Sequence, residues 1–80
     1  MRTTIPLMLL LAAALAAPAS AQSVKAGIEA WQKGNYAAAV AIWRPLAAKG
    51  DADAAFNLGQ AYKLGRGVTL NLGRAQSFYE

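Results

Sequence analysis

A set of residues recurs in the second half of the chain at two fixed offsets. Gly27, Ala30, Trp31 and Gly34 moved forward by 31 positions fall on Leu58, Ala61, Tyr62 and Gly65. Ala39, Ile42 and Trp43 moved forward by 36 fall on Ala75, Phe78 and Tyr79. Small residues return where backbones must approach closely, and an aromatic returns where a large plug is needed. The offsets differ by five, so the second copy has the longer internal turn. Self-similarity of this kind marks supersecondary units that bury their apolar faces on one another. The expected fold class is all-α, with tandem helical hairpins stacked as an α-solenoid.

Local signals agree with that reading. Val24, Gly27, Ile28 and Trp31 follow a three-to-four-residue rhythm, and Gly34-Asn35 supplies a left-handed stop. Tyr36 to about Ala48 forms a second helical run with Tyr36, Val40, Trp43 and Ala47 on one stripe. Pro45 inside it has no N–H and clashes with the carbonyl of Ala41, which predicts a kink or a tightened final turn. Lys49-Gly50 closes that helix, with a cation near the negative end of its dipole. Asp51 is placed to cap a third helix over Ala52 to Leu64, and Asp53 adds charge to its first turn. Its packing stripe reads Ala55, Leu58, Gly59 and Tyr62, and Gly65 ends it. A loop from Gly65 to Leu70 leads to Asn71, a cap for a fourth helix containing Ala75, Phe78 and Tyr79. This helix reaches Glu80 without a closing glycine, so the sequence is expected to be truncated.

The first third of the chain has a different character. Arg2 is followed by no further charge until Lys25, and an apolar run extends from Ile5 to about Ala17. Ala19-Ser20-Ala21 offers a leader peptidase the short side chains its pocket admits. Residues 1–21 therefore read as a secretory signal peptide, cut between Ala21 and Gln22. A membrane anchor would need roughly 20 apolar residues, and this run is shorter, with Pro6 and Pro18 near its two ends. Because Gln22 and not Cys follows the cut, a lipid-modified N-terminus is not indicated. The expected location is periplasmic or secreted, with membrane contact only through the transient leader.

Composition narrows the function. With no Cys and no His among its 80 residues, the chain lacks the usual ligands for zinc, haem and iron–sulfur centres. Disulfide scaffolds and histidine-based nucleophilic machinery are excluded on the same ground. Four acidic residues, Glu29, Asp51, Asp53 and Glu80, leave little for paired-carboxylate chemistry. No enzyme, cofactor or metal is expected. After the cut, 59 residues carry seven basic and four acidic groups, a net +3 spread one by one along the chain. Nucleic-acid binders concentrate basic residues in a stripe with stacking aromatics, so no nucleic-acid partner is expected.

The segment GDADAAFNLGQAYKLGRGV, with Asn71, Ala75 and Phe78-Tyr79 beyond it, closely resembles a Sel-one-like repeat. That family is a branch of the tetratricopeptide-like helical repeats. Ala54, Leu58-Gly59, Tyr62, Gly65-x-Gly67-Val68, Ala75 and Phe78-Tyr79 all fall at the family's positions. Asn71 stands where the family usually has Asp, and Phe78-Tyr79 where it often has Trp-Tyr; both replacements keep the role. The resemblance implies three parts: a signal peptide over 1–21, a degenerate first hairpin over 22–50, and a truncated Sel-one-like repeat over 51–80. It also implies the N-terminal part of a longer bacterial exported repeat protein.

The resemblance implies a non-catalytic binding role for such an array. The resemblance implies that the first helix of each hairpin lines a concave surface. That geometry selects Phe56, Gln60 and Lys63 in the second unit and Glu29 and Gln32 in the first. Phe56 lies off the Leu58–Tyr62 stripe, which makes it an exposed apolar anchor or a contact to a neighbouring repeat. The expected partner is a protein or peptide, with a structural spacer for a missing peptidoglycan-binding region as the alternative. Gly65-x-Gly67 lacks the preceding strand and third glycine of a dinucleotide loop and reads as a pair of turn glycines. Asp51 and Asp53 read as cap and first-turn charge, and Trp31, Trp43, Tyr62 and Tyr79 as packing plugs.

Overall fold

A computed structural model describes residues 23–80. The leader and its cut site at Ala19, Ala21 and Gln22 lie outside the described residues. Four helices and no strand are present among the described residues: α1 (Val24–Gln32), α2 (Tyr36–Ala48), α3 (Ala52–Leu64) and α4 (Leu72–Tyr79). None of them is long and apolar enough to cross a membrane.

Short polar side chains set the helix starts. Ser23 Oγ accepts from the Ala26 N–H at 3.1 Å, Asp51 Oδ1 from the Ala54 N–H at 3.0 Å, and Asn71 Oδ1 from the Arg74 N–H at 2.9 Å. Each bond satisfies a first-turn amide that has no partner within its helix. Asn35 holds the same place before α2 but makes no side-chain cap bond. Asp51→Ala is therefore expected to cost about 1 kcal/mol, and Asn35→Ala much less. Urea denaturation of the two variants checks this, and equal shifts in midpoint would count against it.

The helix ends are closed in two ways. In α1 the Gly34 N–H donates to the Trp31 carbonyl at 2.9 Å and the Asn35 N–H to the Ala30 carbonyl at 2.8 Å. Gly50 and Asp51 repeat that paired closure on Ala47 and Leu46 at the end of α2. By contrast α3 turns left-handed at once, its Gly65 and Arg66 amides both reaching the Ala61 carbonyl. Pro45 sits inside α2 without dividing it. The Lys49 N–H is shared between the carbonyls of Pro45 (3.2 Å) and Leu46 (3.1 Å), which tightens the last turn.

Consecutive helices pack against one another: α1 on α2, α2 on α3, and α3 on α4. The centre of the core belongs to α2 and α3, which supply Ala39, Val40, Trp43, Ala54, Leu58 and Ala61. Around it lie Val24, Ala30 and Trp31 from α1 and Phe78 from α4. Trp43 is 3% exposed, and its indole N–H donates to the Val24 carbonyl at 3.2 Å, so one side chain fixes the start of α1 to α2. Gly27 lies directly against that indole, and a Cβ there would overlap the ring.

Gly59 bears the same relation to Tyr79. The glycine that meets the aromatic in the second pair is thus one residue beyond Leu58, the position that the sequence offset matches to Gly27. The different closures explain the slip. Lys33 intervenes between the end of α1 and its left-handed glycine, whereas Gly65 follows α3 immediately. Two stripe positions also differ from the sequence reading. Ile28 is 40% exposed and Ala30 packs on the core in its place, while Ala54 is buried more deeply than Ala55.

The loop between α3 and α4 is fastened back to α2. Gly67, at φ +76°, brings its backbone against the Tyr36 carbonyl, and Val68 packs on the core. Arg66 places its guanidinium 5.2 Å from the centre of the Tyr36 ring. The Asn71 N–H then donates to the Tyr62 carbonyl at 3.0 Å, which aims α4 along α3.

Candidate functional site

Between α1 and α3 runs an open groove of about 300 Å³. From α1 come Ile28, Trp31 and Gln32; from α3 come Phe56, Asn57, Gln60 and Leu64; Trp43 contributes from α2. Helical spacing explains the grouping, since 28, 31 and 32 share one face of α1 and 56, 60 and 64 share one face of α3.

Trp31 is held by aromatic neighbours on two sides. Its ring lies edge-on to Tyr36 with centroids 4.7 Å apart, and tilted against Trp43 at 5.6 Å. Three large apolar side chains around it stay open to solvent: Phe56 (54% exposed), Leu64 (50%) and Ile28 (40%). Tyr79 braces the α3 side from α4. Its ring sits 5.5 Å from that of Phe56, and its hydroxyl donates to Gln60 Oε1. With its carbonyl oxygen so occupied, Gln60 keeps its NH₂ as a donor.

Among the described residues no charged side chain lines the groove, and neither does any hydroxyl group. It therefore holds no nucleophile and no general acid or base. Among the described residues there is also no cluster of acidic side chains suited to a metal ion. What the groove does offer is apolar surface to cover and three amide side chains, those of Gln32, Asn57 and Gln60, to pair with polar backbone.

Of the five residues that sequence reasoning placed on a binding surface, Phe56, Gln60 and Gln32 come together here. Glu29 and Lys63 are exposed but lie outside the groove lining. Phe56 opens into the groove on one side, and its ring lies 5.5 Å from that of Tyr79, a contact within its own hairpin and not with a neighbouring repeat. Ile28, Asn57 and Leu64 were not singled out from sequence. The four-residue spacing of Phe56, Gln60 and Leu64 is the signal that points to the last of these. Comparison with protein-family models, with curated proteins and with solved structures finds no match to this chain.

Proposed function

We propose that the chain is an exported, non-catalytic protein–protein interaction module, built as a tetratricopeptide-like solenoid of Sel-one-like hairpins. The observation that carries this reading is the α1–α3 groove, lined among the described residues by no charged side chain, with Phe56 exposed in it and three amides in its lining. Such a surface fits a peptide segment that presents an apolar side chain and an accessible backbone. Rigid helices hold Phe56 and Gln60 in place beforehand, through Tyr79, and so reduce the ordering entropy lost on association. Export is supported by the charge-free apolar run and the Ala19-Ser20-Ala21 cut site.

The test is site-specific photo-crosslinking of the full chain, expressed in a bacterial host with a photoreactive phenylalanine in place of Phe56. The expected result is a discrete protein adduct in the periplasmic fraction, on a chain that has lost residues 1–21. The same probe in place of Ala37, exposed on α2 and outside the groove, should give none. Two results would defeat the reading: equal adducts from both positions, or a chain that stays in the cytoplasm with its leader attached. Sedimentation with purified peptidoglycan in place of a protein adduct would favour the spacer alternative.

A further inference from the structure

A second pocket, of about 410 Å³, shares no lining residue with the α1–α3 groove. Two arginines from different helices meet at it. Arg44 of α2 and Arg74 of α4 place their guanidinium carbons 5.7 Å and 5.3 Å from the centre of the same ring, Tyr62 of α3. Cation–π attraction to one ring brings together two like charges that would otherwise separate. Phe78 stacks on Tyr62 at 5.7 Å and helps to fix its orientation.

Among the described residues no acidic side chain lines the pocket to neutralise them. Thr69 and Asn71 complete its rim, supplying a hydroxyl and a side-chain amide, and Tyr62 is its largest apolar part. Asn71 already uses Oδ1 to cap α4, which leaves its NH₂ as the group available to a ligand. The positive end of the α4 dipole lies at the same rim. Two guanidinium forks, a hydroxyl and an amide, all donors, make a site for a compact oxyanion. A single carboxylate would leave one of the two positive charges unmatched, whereas a dianion matches both.

We infer that Arg44, Arg74, Thr69 and Asn71 form a binding site for a phosphoryl dianion, separate from the peptide groove. Its source is either a soluble phosphate or a phosphate-bearing lipid headgroup, and the chemistry of recognition is the same for both.

The experiment titrates the full chain with inorganic phosphate near neutral pH, with sodium chloride holding ionic strength constant. Calorimetry and backbone amide shifts are the readouts. Saturable binding is expected, with shifts centred on Thr69, Asn71 and Arg74. Arg44→Gln and Arg74→Gln should each weaken binding about tenfold, the loss of a charge-assisted hydrogen bond. Arg66→Gln, at Tyr36 and outside this pocket, should leave it unchanged.

Phosphate also stabilises proteins generally through exclusion from their surface. Melting temperatures separate that effect, because only site binding is lost in the double variant R44Q/R74Q. Circular dichroism establishes that each variant is folded, and Arg74→Gln stands alone if Arg44→Gln unfolds the chain. Failure to saturate, an equal loss in Arg66→Gln, or an unaltered phosphate effect in the double variant would overturn the assignment. Vesicles of phosphatidylcholine with and without phosphatidic acid then distinguish the source. Cosedimentation that needs both arginines assigns a headgroup, and phosphate binding without cosedimentation assigns a soluble ion.

Discussion

Trp43→Ala is expected to unfold residues 23–80. The side chain is 3% exposed, touches α1 at Gly27 and Trp31, and closes a hydrogen bond to the Val24 carbonyl. Truncating a buried tryptophan costs about 3–5 kcal/mol from lost transfer energy and the cavity left behind. A helical chain of this size rarely holds more than about 3–5 kcal/mol in total. The cost is therefore comparable with the whole stability. Far-ultraviolet circular dichroism should show most of the helical signal gone at room temperature. Trp43→Phe keeps a ring against Gly27 but has no N–H for Val24, and its expected cost is about 1 kcal/mol from the lost bond, with a smaller packing term. A cooperative melt of Trp43→Ala at the wild-type temperature would remove Trp43 from the centre of the core.

Gly67→Ala is expected to rank next, at about 2–5 kcal/mol, and Gly34→Ala shows why. Both glycines have positive φ, +76° and +81°, so an alanine at either suffers the left-handed penalty of about 1–2 kcal/mol. At Gly34 nothing lies within 4 Å of the new methyl group. At Gly67 the methyl would come within 2.6 Å of the Tyr36 carbonyl oxygen and 2.9 Å of Val40 Cγ2. The first of these is backbone and cannot rotate away, so overpacking adds about 1–3 kcal/mol. Urea denaturation of the two variants measures the difference directly. Equal destabilisation would mean that the loop does not lie against α2 in solution.

How much of this was legible in the sequence depends on whether the determinant is local. Helix limits were, because Asp51, Asn71, Gly34, Gly50 and Gly65 act through bonds that span only a few residues. The all-helical class followed from the same punctuation. Which apolar residue faces inward was less legible. A helix flanked on two sides has two apolar faces, and periodicity alone does not say which one meets a partner helix. Ile28 and Ala30 are the case in point: the larger residue fits the rhythm, yet the smaller one is packed and Ile28 opens into the groove. The Ser23 cap of α1 was not anticipated, although its residue type is an ordinary signal.

Candidate site residues divide along the same line. Phe56 and Gln60 were reached by asking what lies off the packing stripe, a question answered within one helix. Lys63 and Glu29 were chosen by the same rule but stand outside the groove lining, off the faces that carry Phe56, Gln60 and Leu64 on α3 and Ile28, Trp31 and Gln32 on α1. Which of the off-stripe faces meet across the groove depends on how α1 and α3 are placed, not on spacing within either helix. Tyr79, which orients Phe56 and Gln60 from α4, was read as a plug, and its 38% exposure reflects a ring with one side given to the α3 face.

The loop fastened at Gly67 has one more consequence, for how order spreads through the chain. Nearly every other tie joins neighbours along the sequence, so folding can begin in any adjacent pair with a small entropic toll for closing the intervening segment. The contact of Gly67 and Arg66 with Tyr36 spans about 30 residues, so its closure is expected to follow the docking of α2 on α3. It thus acts as a late latch, sensitive to whether the two halves have docked in register and silent about either half alone.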